Sequence, residues 1–342
     1  MNIALIVQVK DSRAYLPVFL THHLRLVDHI FLVDHNSQAD YRRLGNERLK
    51  VLRSTVGAFS PSTNINAVIY HFSLIERYDW LFILDVDEFL PFTERSSFES
   101  FLRSHQSDEC LCFRWQNGIV DDAEGALPVM LTSRSTLLFS RYRAYTRKLF
   151  FNVTGNREVI ICHGNHRAIF PRLGQKFLRR NVAVIDSGLP LYHMPFLDMT
   201  ALEEKLAAFP RENFFDKVIL FPERFRDRYG PEWTLSQLDR SDLLWMVANY
   251  RERYSDRLLP SAEGDFSRND LFSGLEEGVA DWAARLERCP PGQQFAACRE
   301  EHESIKKVSG VRGNYGRQLM RLVSITPDRL IRMTVHQEKN RG

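Results

Sequence analysis

Residues 79–89 read DWLFILDVDEF, an apolar run that delivers three carboxylates, Asp85, Asp87 and Glu88, within four residues. If the chain stays extended, Asp85 and Asp87 point to the same side, because side chains alternate along a strand. Like charges that close disfavour one another's ionised forms unless a cation or donors neutralise them. A hard divalent ion such as Mg²⁺ or Mn²⁺ suits them: it takes oxygen ligands and keeps positions for substrate phosphates. Such an ion bridges the two phosphates of a nucleotide diphosphate and stabilises negative charge as it departs. The plainer alternative is a solvated acidic turn after a strand, and spacing alone leaves both open.

The elements that must position this cluster are legible upstream. Residues 3–9, 29–33, 49–52 and 80–84 are short apolar runs without alternation, and residues 14–27 and 65–78 carry helical patterns between them. Strands that are apolar on both faces and separated by helices predict a parallel sheet covered on both sides, an α/β fold. Such sheets bind ligands beyond the carboxyl ends of their strands. Those ends are polar here: Gln8, Lys10 and Asp11 after the first strand, Asp34, His35, Asn36 and Ser37 after the second, and Asp85, Asp87 and Glu88 after the fourth. From about residue 110 the pattern changes to short strands (111–115, 148–153, 159–163 and 182–185) joined by loops rich in Arg, Asn and Gly. After about residue 198 helical patterns return at 200–208, 211–218, 236–254 and 278–288, ended by Pro290-Pro291-Gly292.

Bulk composition narrows the class without choosing it. The 342 residues carry 46 Lys and Arg against 43 Asp and Glu, so a charge of +3 gives no electrostatic case for a nucleic-acid partner. With 12% aromatics the chain can build a core, which excludes disorder as a description of the whole. Five cysteines, an odd number without CxxC spacing, read as reduced thiols and not as a zinc site or a disulfide frame. The first apolar run is too short to span a bilayer and lacks the flanks of a signal peptide, so the expectation is a cytoplasmic protein. The last forty residues hold nine Lys or Arg and three Asp or Glu. That basic tail reads as a solvated helix face or, more sharply, as a peripheral contact with the anionic inner face of a membrane. GxGxxG, GxxxxGK[ST] and GxSxG motifs are all absent from the sequence, which argues against a nicotinamide enzyme, a P-loop enzyme and the usual serine hydrolase.

Taken in order, the motifs resemble those of the GT-A glycosyltransferases, in particular family 2-like and family 92-like members. Ile6-Val7-Gln8-Val9-Lys10-Asp11 followed by Tyr15-Leu16-Pro17 and His22-His23 is similar to that family's opening strand and first helix. The segment VDHIFLVDHNS at 27–37 is similar to its second strand, and residues 80–89 resemble its DxD strand in the DVDEF form. Weaker likenesses follow at Lys148, at CHGNHR (162–167), and at His193 with Glu203, Glu204 and Lys205. His35, Gln38 and Asp11-Ser12 depart from the commoner family residues, which blurs the base and sugar preference.

The resemblance implies a GT-A fold, Rossmann-like with a mostly parallel sheet. Its nucleotide half would be about 1–110 and its acceptor half about 111–200, with a mainly helical region at 201–342. It implies a hexosyltransferase-like enzyme with Mn²⁺ or Mg²⁺ that moves a sugar from a nucleotide sugar, UDP-sugar favoured, to a glycan or lipid-linked acceptor. By the same likeness Asp34 lies near the nucleoside, and Gln8 and Lys10 border the nucleotide pocket. Asp85 faces the ribose or the metal, Asp87 is the direct metal ligand, Lys148 reaches phosphate, and His193 (ahead of His163) meets the metal or the diphosphate. An inverting transfer also needs a carboxylate at the acceptor hydroxyl. Asp121 and Asp122, in a loop after the DxD strand, are the candidates beside the plainer reading of a Gly-flanked turn. Two rivals share these carboxylates: a metal-dependent nucleotidyl- or phosphotransferase, and a catalytically silent GT-A binding module.

Overall fold

A computed structural model describes residues 1–54, 61–120, 137–144, 146–155, 159–161, 168–169, 184–195, 222–250 and 266–292. The chain begins β1 (Ile3–Val9), α1 (Leu16–Leu24), β2 (His29–Asp34), a 3₁₀ turn at Tyr41–Leu44, and β3 (Leu49–Arg53). Then come α2 (Pro61–His71), α3 (Leu74–Arg77), β4 (Trp80–Asp85), β5 (Glu88–Phe89) and α4 (Arg95–Ser104). The strands β6 (Cys110–Val120), β7 (Leu137–Ser140), β8 (Arg147–Asn152), β9 (Ile160–Ile161), β10 (Ala168–Ile169) and β11 (Val184–His193) follow. The last described elements are α5 (Pro222–Tyr229), α6 (Arg240–Ala248), β12 (Phe266–Asn269) and α7 (Glu276–Glu287).

The main sheet runs β12-β7-β6-β8-β4-β1-β2-β3, with β11 joined to β5 and β6. The pairs β4–β1, β1–β2, β2–β3 and β11–β6 are parallel and carry most of the paired length; β8, β7, β12 and β5 pair antiparallel. The α/β fold with a mostly parallel sheet, expected from the apolar runs, is therefore what the chain forms. Both faces are covered. Leu5, Val7, Leu32 and Phe82 pack with α1 in one core cluster, and Ala4, Ile6, Phe31 and Ile83 pack with α2 in the other.

Several expected elements differ in extent. The single helix anticipated at 65–78 is two, α2 and α3, because Ser73 stands in the left-handed region (φ 49°), which a helix cannot continue through. The strand expected at 111–115 runs on to Val120, and the one at 182–185 reaches His193. The expected helix at 236–254 corresponds to α6, and that at 278–288 to α7; the patterns at 200–208 and 211–218 lie outside the described residues, as does the basic tail. β12 adds an edge strand against β7, and Gly278 of α7 meets Thr21 of α1 so closely that a Cβ would stand 2.6 Å from its Cγ2. Among the described residues no helix is long and apolar enough to cross a membrane.

Candidate functional site

Three strand ends meet at the carboxyl edge of the parallel strands. β4 stops at Asp85, Val86 and Asp87 form a turn, and Glu88–Phe89 leaves as β5. The extended geometry that would have put Asp85 and Asp87 on one side thus ends at Asp85. β5 pairs with the end of β11, setting Glu88 beside His193, and β11 pairs with β6, setting His193 beside Asn117. The Met194 N–H donates to the Asp87 carbonyl at 2.8 Å, and the Tyr15 hydroxyl donates to the Met194 carbonyl at 3.0 Å, so the turn is tied to the chain just after His193. Behind it, His22 Nε2 bonds the Leu90 carbonyl at 2.9 Å and the His23 ring stacks on Phe89.

The carboxylates have distinct environments. Glu88 is fully buried, accepting from Trp115 Nε1 and from the Asp85 backbone N–H, each at 2.7 Å. Lys148, fully buried on β8, donates to Asp85 Oδ2 at 2.6 Å and stands 3.4 Å from Glu88 Oε2. Burial pushes the Glu88 carboxyl up to about 8, against the pull of Lys148. Burial works against the Lys148 ammonium too, yet Asp85, Glu88 and Asp87 together lift it above the ordinary lysine value. Lys148 is thus the counter-charge beneath the cluster, and the Asp85 side chain stays 48% exposed above it.

Asp87 faces the imidazole. His193 Nε2 lies 3.7 Å from Asp87 Oδ2, while His193 Nδ1 is 2.7 Å from Asn117 Oδ1. The His193 ring stacks on Trp115 with centroids 3.9 Å apart and planes 15° from parallel. Neither Trp115 nor Asn117 was singled out from the sequence. The available signal was an Asn two residues after a Trp in a strand-like run, a spacing that puts both on one face.

The remaining candidates fall elsewhere along the same edge. Gln8 lies across from Asp85 in the sheet register, and its Oε1 accepts from Asn64 at 3.4 Å. Its Nε2 is buried with no hydrogen-bond partner among the described residues. Lys10 is exposed, near enough to His35 to help burial lower that imidazole to about 4. Asp34 is fully buried: Oδ1 accepts from the Ser37 N–H at 2.9 Å and Oδ2 from Arg53 at 2.5 Å. Burial pushes its carboxyl up, against Ser37 and Arg53. Both of its oxygens hold the loop after β2. Asp121, Asp122, His163, His166, Glu203, Glu204 and Lys205 lie outside the described residues.

A resident Mn²⁺ or Mg²⁺ has to be tested against these donors. Among the described residues no group of three or more His, Cys, Asp and Glu side chains could hold a metal ion. What the rim offers is a carboxylate and an imidazole facing each other, the imidazole oriented from behind by a hydrogen bond, as metal-ligating histidines are. Two protein ligands fit an ion that draws its remaining ligands from water and substrate phosphates, as Mg²⁺ commonly does.

The fold and rim define an α/β protein with a mostly parallel sheet and a carboxylate–imidazole cluster at its carboxyl edge. No family model matches the chain, and no curated protein matches it. Among solved structures it has a likeness to the crystal structure of mannose-1-phosphate geranyltransferase from Thermus thermophilus. That likeness has 13% identity, covers 44% of this chain and 50% of that one, and has a TM-score of 0.26. The chain spans about half the length of that protein, and a superposition this loose bears on neither mechanism nor substrate.

Proposed function

We propose that the chain is a metal-dependent glycosyltransferase that moves a sugar from a nucleotide diphosphate sugar to an acceptor. The observation that carries this reading is the facing pair Asp87 and His193, 3.7 Å apart at the carboxyl edge of the parallel strands. Ligands of α/β proteins bind at that edge. Mn²⁺ or Mg²⁺, when bound there, would offset the negative charge that collects on a departing nucleoside diphosphate.

The chain's own residues supply the rest. Asp87 and His193 would hold the cation, and Asp85, half exposed, would accept from a ribose hydroxyl. Lys148 keeps the paired carboxylates tolerable when no ligand is present, since its Nζ holds Asp85 at 2.6 Å. Glu88 fixes the turn by accepting the Asp85 N–H and fixes Trp115 by accepting its indole N–H. Gln8 and Lys10 complete the nucleotide side, and an acceptor base from Asp121 or Asp122 completes the reaction.

The test is product analysis with the full chain and a panel of nucleotide sugars. The reading predicts Mn²⁺-dependent release of a nucleoside diphosphate, lost in Asp87→Ala. Release of pyrophosphate from a nucleoside triphosphate would instead assign a nucleotidyltransferase. Binding of the diphosphate without turnover of any donor would assign a silent binding module.

A further inference from the structure

The segment just after α6 reaches the proposed site through Tyr250, whose ring stands 5.3 Å from that of His193 and whose carbonyl faces the Asn117 amide. Tyr250 follows α6, and its position is fixed by its own N–H donating to the Val247 carbonyl at 3.2 Å. Asn117, 1% exposed on β6, directs Nδ2 toward the Tyr250 carbonyl at 3.4 Å. A carbonyl can only accept, so the amide nitrogen must be the end that faces it. That choice leaves Oδ1 toward His193, where it stands 2.7 Å from Nδ1. An amide oxygen also only accepts, so Nδ1 must carry a hydrogen. In the neutral imidazole the lone pair is then on Nε2, the nitrogen 3.7 Å from Asp87 Oδ2. Trp115, stacked 3.9 Å from the imidazole, sets the plane of the ring, and Asn117 sets its rotation and tautomer.

We infer that Asn117 is a positioning residue that, oriented by the Tyr250 carbonyl, holds His193 in the Nδ1–H tautomer and presents its Nε2 lone pair toward Asp87. The tautomer follows from the hydrogen bonds alone; its consequence for a cation rests on the function proposed above. The C-terminal helical part of the chain thereby sets the chemistry of a residue at the far end of β11.

The test uses ¹⁵N-histidine NMR on the metal-free full chain, with the imidazole neutral, and then Mn²⁺ binding in the presence of UDP by electron paramagnetic resonance. Wild type is expected to show His193 as Nδ1–H. Asn117→Ala is expected to shift it toward Nε2–H and to weaken Mn²⁺ about 10- to 100-fold. Asn117→Asp keeps an acceptor for Nδ1–H and is expected to restore the tautomer. An Nε2–H tautomer in wild type overturns the inference without any variant, and so does an unchanged Nδ1–H tautomer in Asn117→Ala. Equal Mn²⁺ affinity in wild type and Asn117→Ala removes the presentation role. If the tautomer shifts as expected and wild type binds no Mn²⁺ with UDP, the positioning stands and the proposed function fails.

Discussion

Asp34 and Asp85 end the two strands that flank β1, one across from Val9 and the other across from Gln8. Each has a cation from a neighbouring part of the sheet, Arg53 at 2.5 Å and Lys148 at 2.6 Å. Their fates differ. Arg53 also donates to the Ser37 and Ala39 carbonyls, and the segment after α7 closes over it: the Gly292 N–H donates to the Gln38 carbonyl at 2.6 Å. Asp34 is sealed beneath that loop. Lys148 instead lies under its aspartate, and the half-exposed Asp85 carboxylate faces outward beside Asp87. The side from which the counter-charge arrives decides whether a strand-end aspartate is sealed beneath a loop or stays half exposed at the rim.

The largest effect should come from opening the closed end. Arg53→Met leaves Asp34 buried without its partner, which costs about 3–5 kcal/mol for such pairs, read as a lower urea midpoint. Asp87→Ala at the open end should do the reverse: turnover falls roughly 100- to 1,000-fold, while stability moves by less than about 1 kcal/mol. If Asp87→Ala lowers the urea midpoint as far as Arg53→Met does, or Arg53→Met leaves it unchanged, the contrast between the two ends collapses.

Gly118→Ala sharpens the boundary between framework and site, since Gly118 adjoins Asn117. Its added Cβ would stand 2.3 Å from Phe139 Cδ1 and 2.9 Å from the Leu138 carbonyl, so β6 and β7 must part. A loss of about 1–3 kcal/mol is expected on unfolding.

The last effect is a slope confined to acid pH, from the interior behind the open turn. Burial is the main force lowering His22 from 6.5 to about 3. Between those values the unfolded chain binds a proton that the folded chain refuses, so stability falls as pH drops below 6.5. His22→Met should flatten that fall by about 1.4 kcal/mol per pH unit, measured by denaturation across the acid range.

The sheet was readable because buried parallel strands are continuous apolar runs: residues 3–9 and 29–33 map onto β1 and, to within one residue, β2. The cluster was readable because DVDEF concentrates charge where a strand must end. The pairing of those charges was not. Arg53 comes from the adjacent strand, and Lys148 lies 63 residues beyond Asp85. Nothing local distinguishes a lysine bound for phosphate from one destined to neutralise a buried rim. Asn117 and Trp115 were silent for a related reason, since their meaning depends on β11 lying beside β6, a pairing between residues far apart in the chain.

In the proposed function the open end, through Asp87 and His193, takes a divalent cation with a nucleotide diphosphate. Thermal denaturation of wild type and Asp87→Ala, with a panel of nucleotide sugars and with or without Mn²⁺, tests it most directly. A ligand that binds the folded state raises the melting temperature, by a stabilisation that grows with the logarithm of its concentration over its Kd. A rise in wild type that requires both Mn²⁺ and a nucleotide sugar, and that disappears in Asp87→Ala, is the predicted result. Equal shifts in the two proteins, or no shift with any donor, would contradict it.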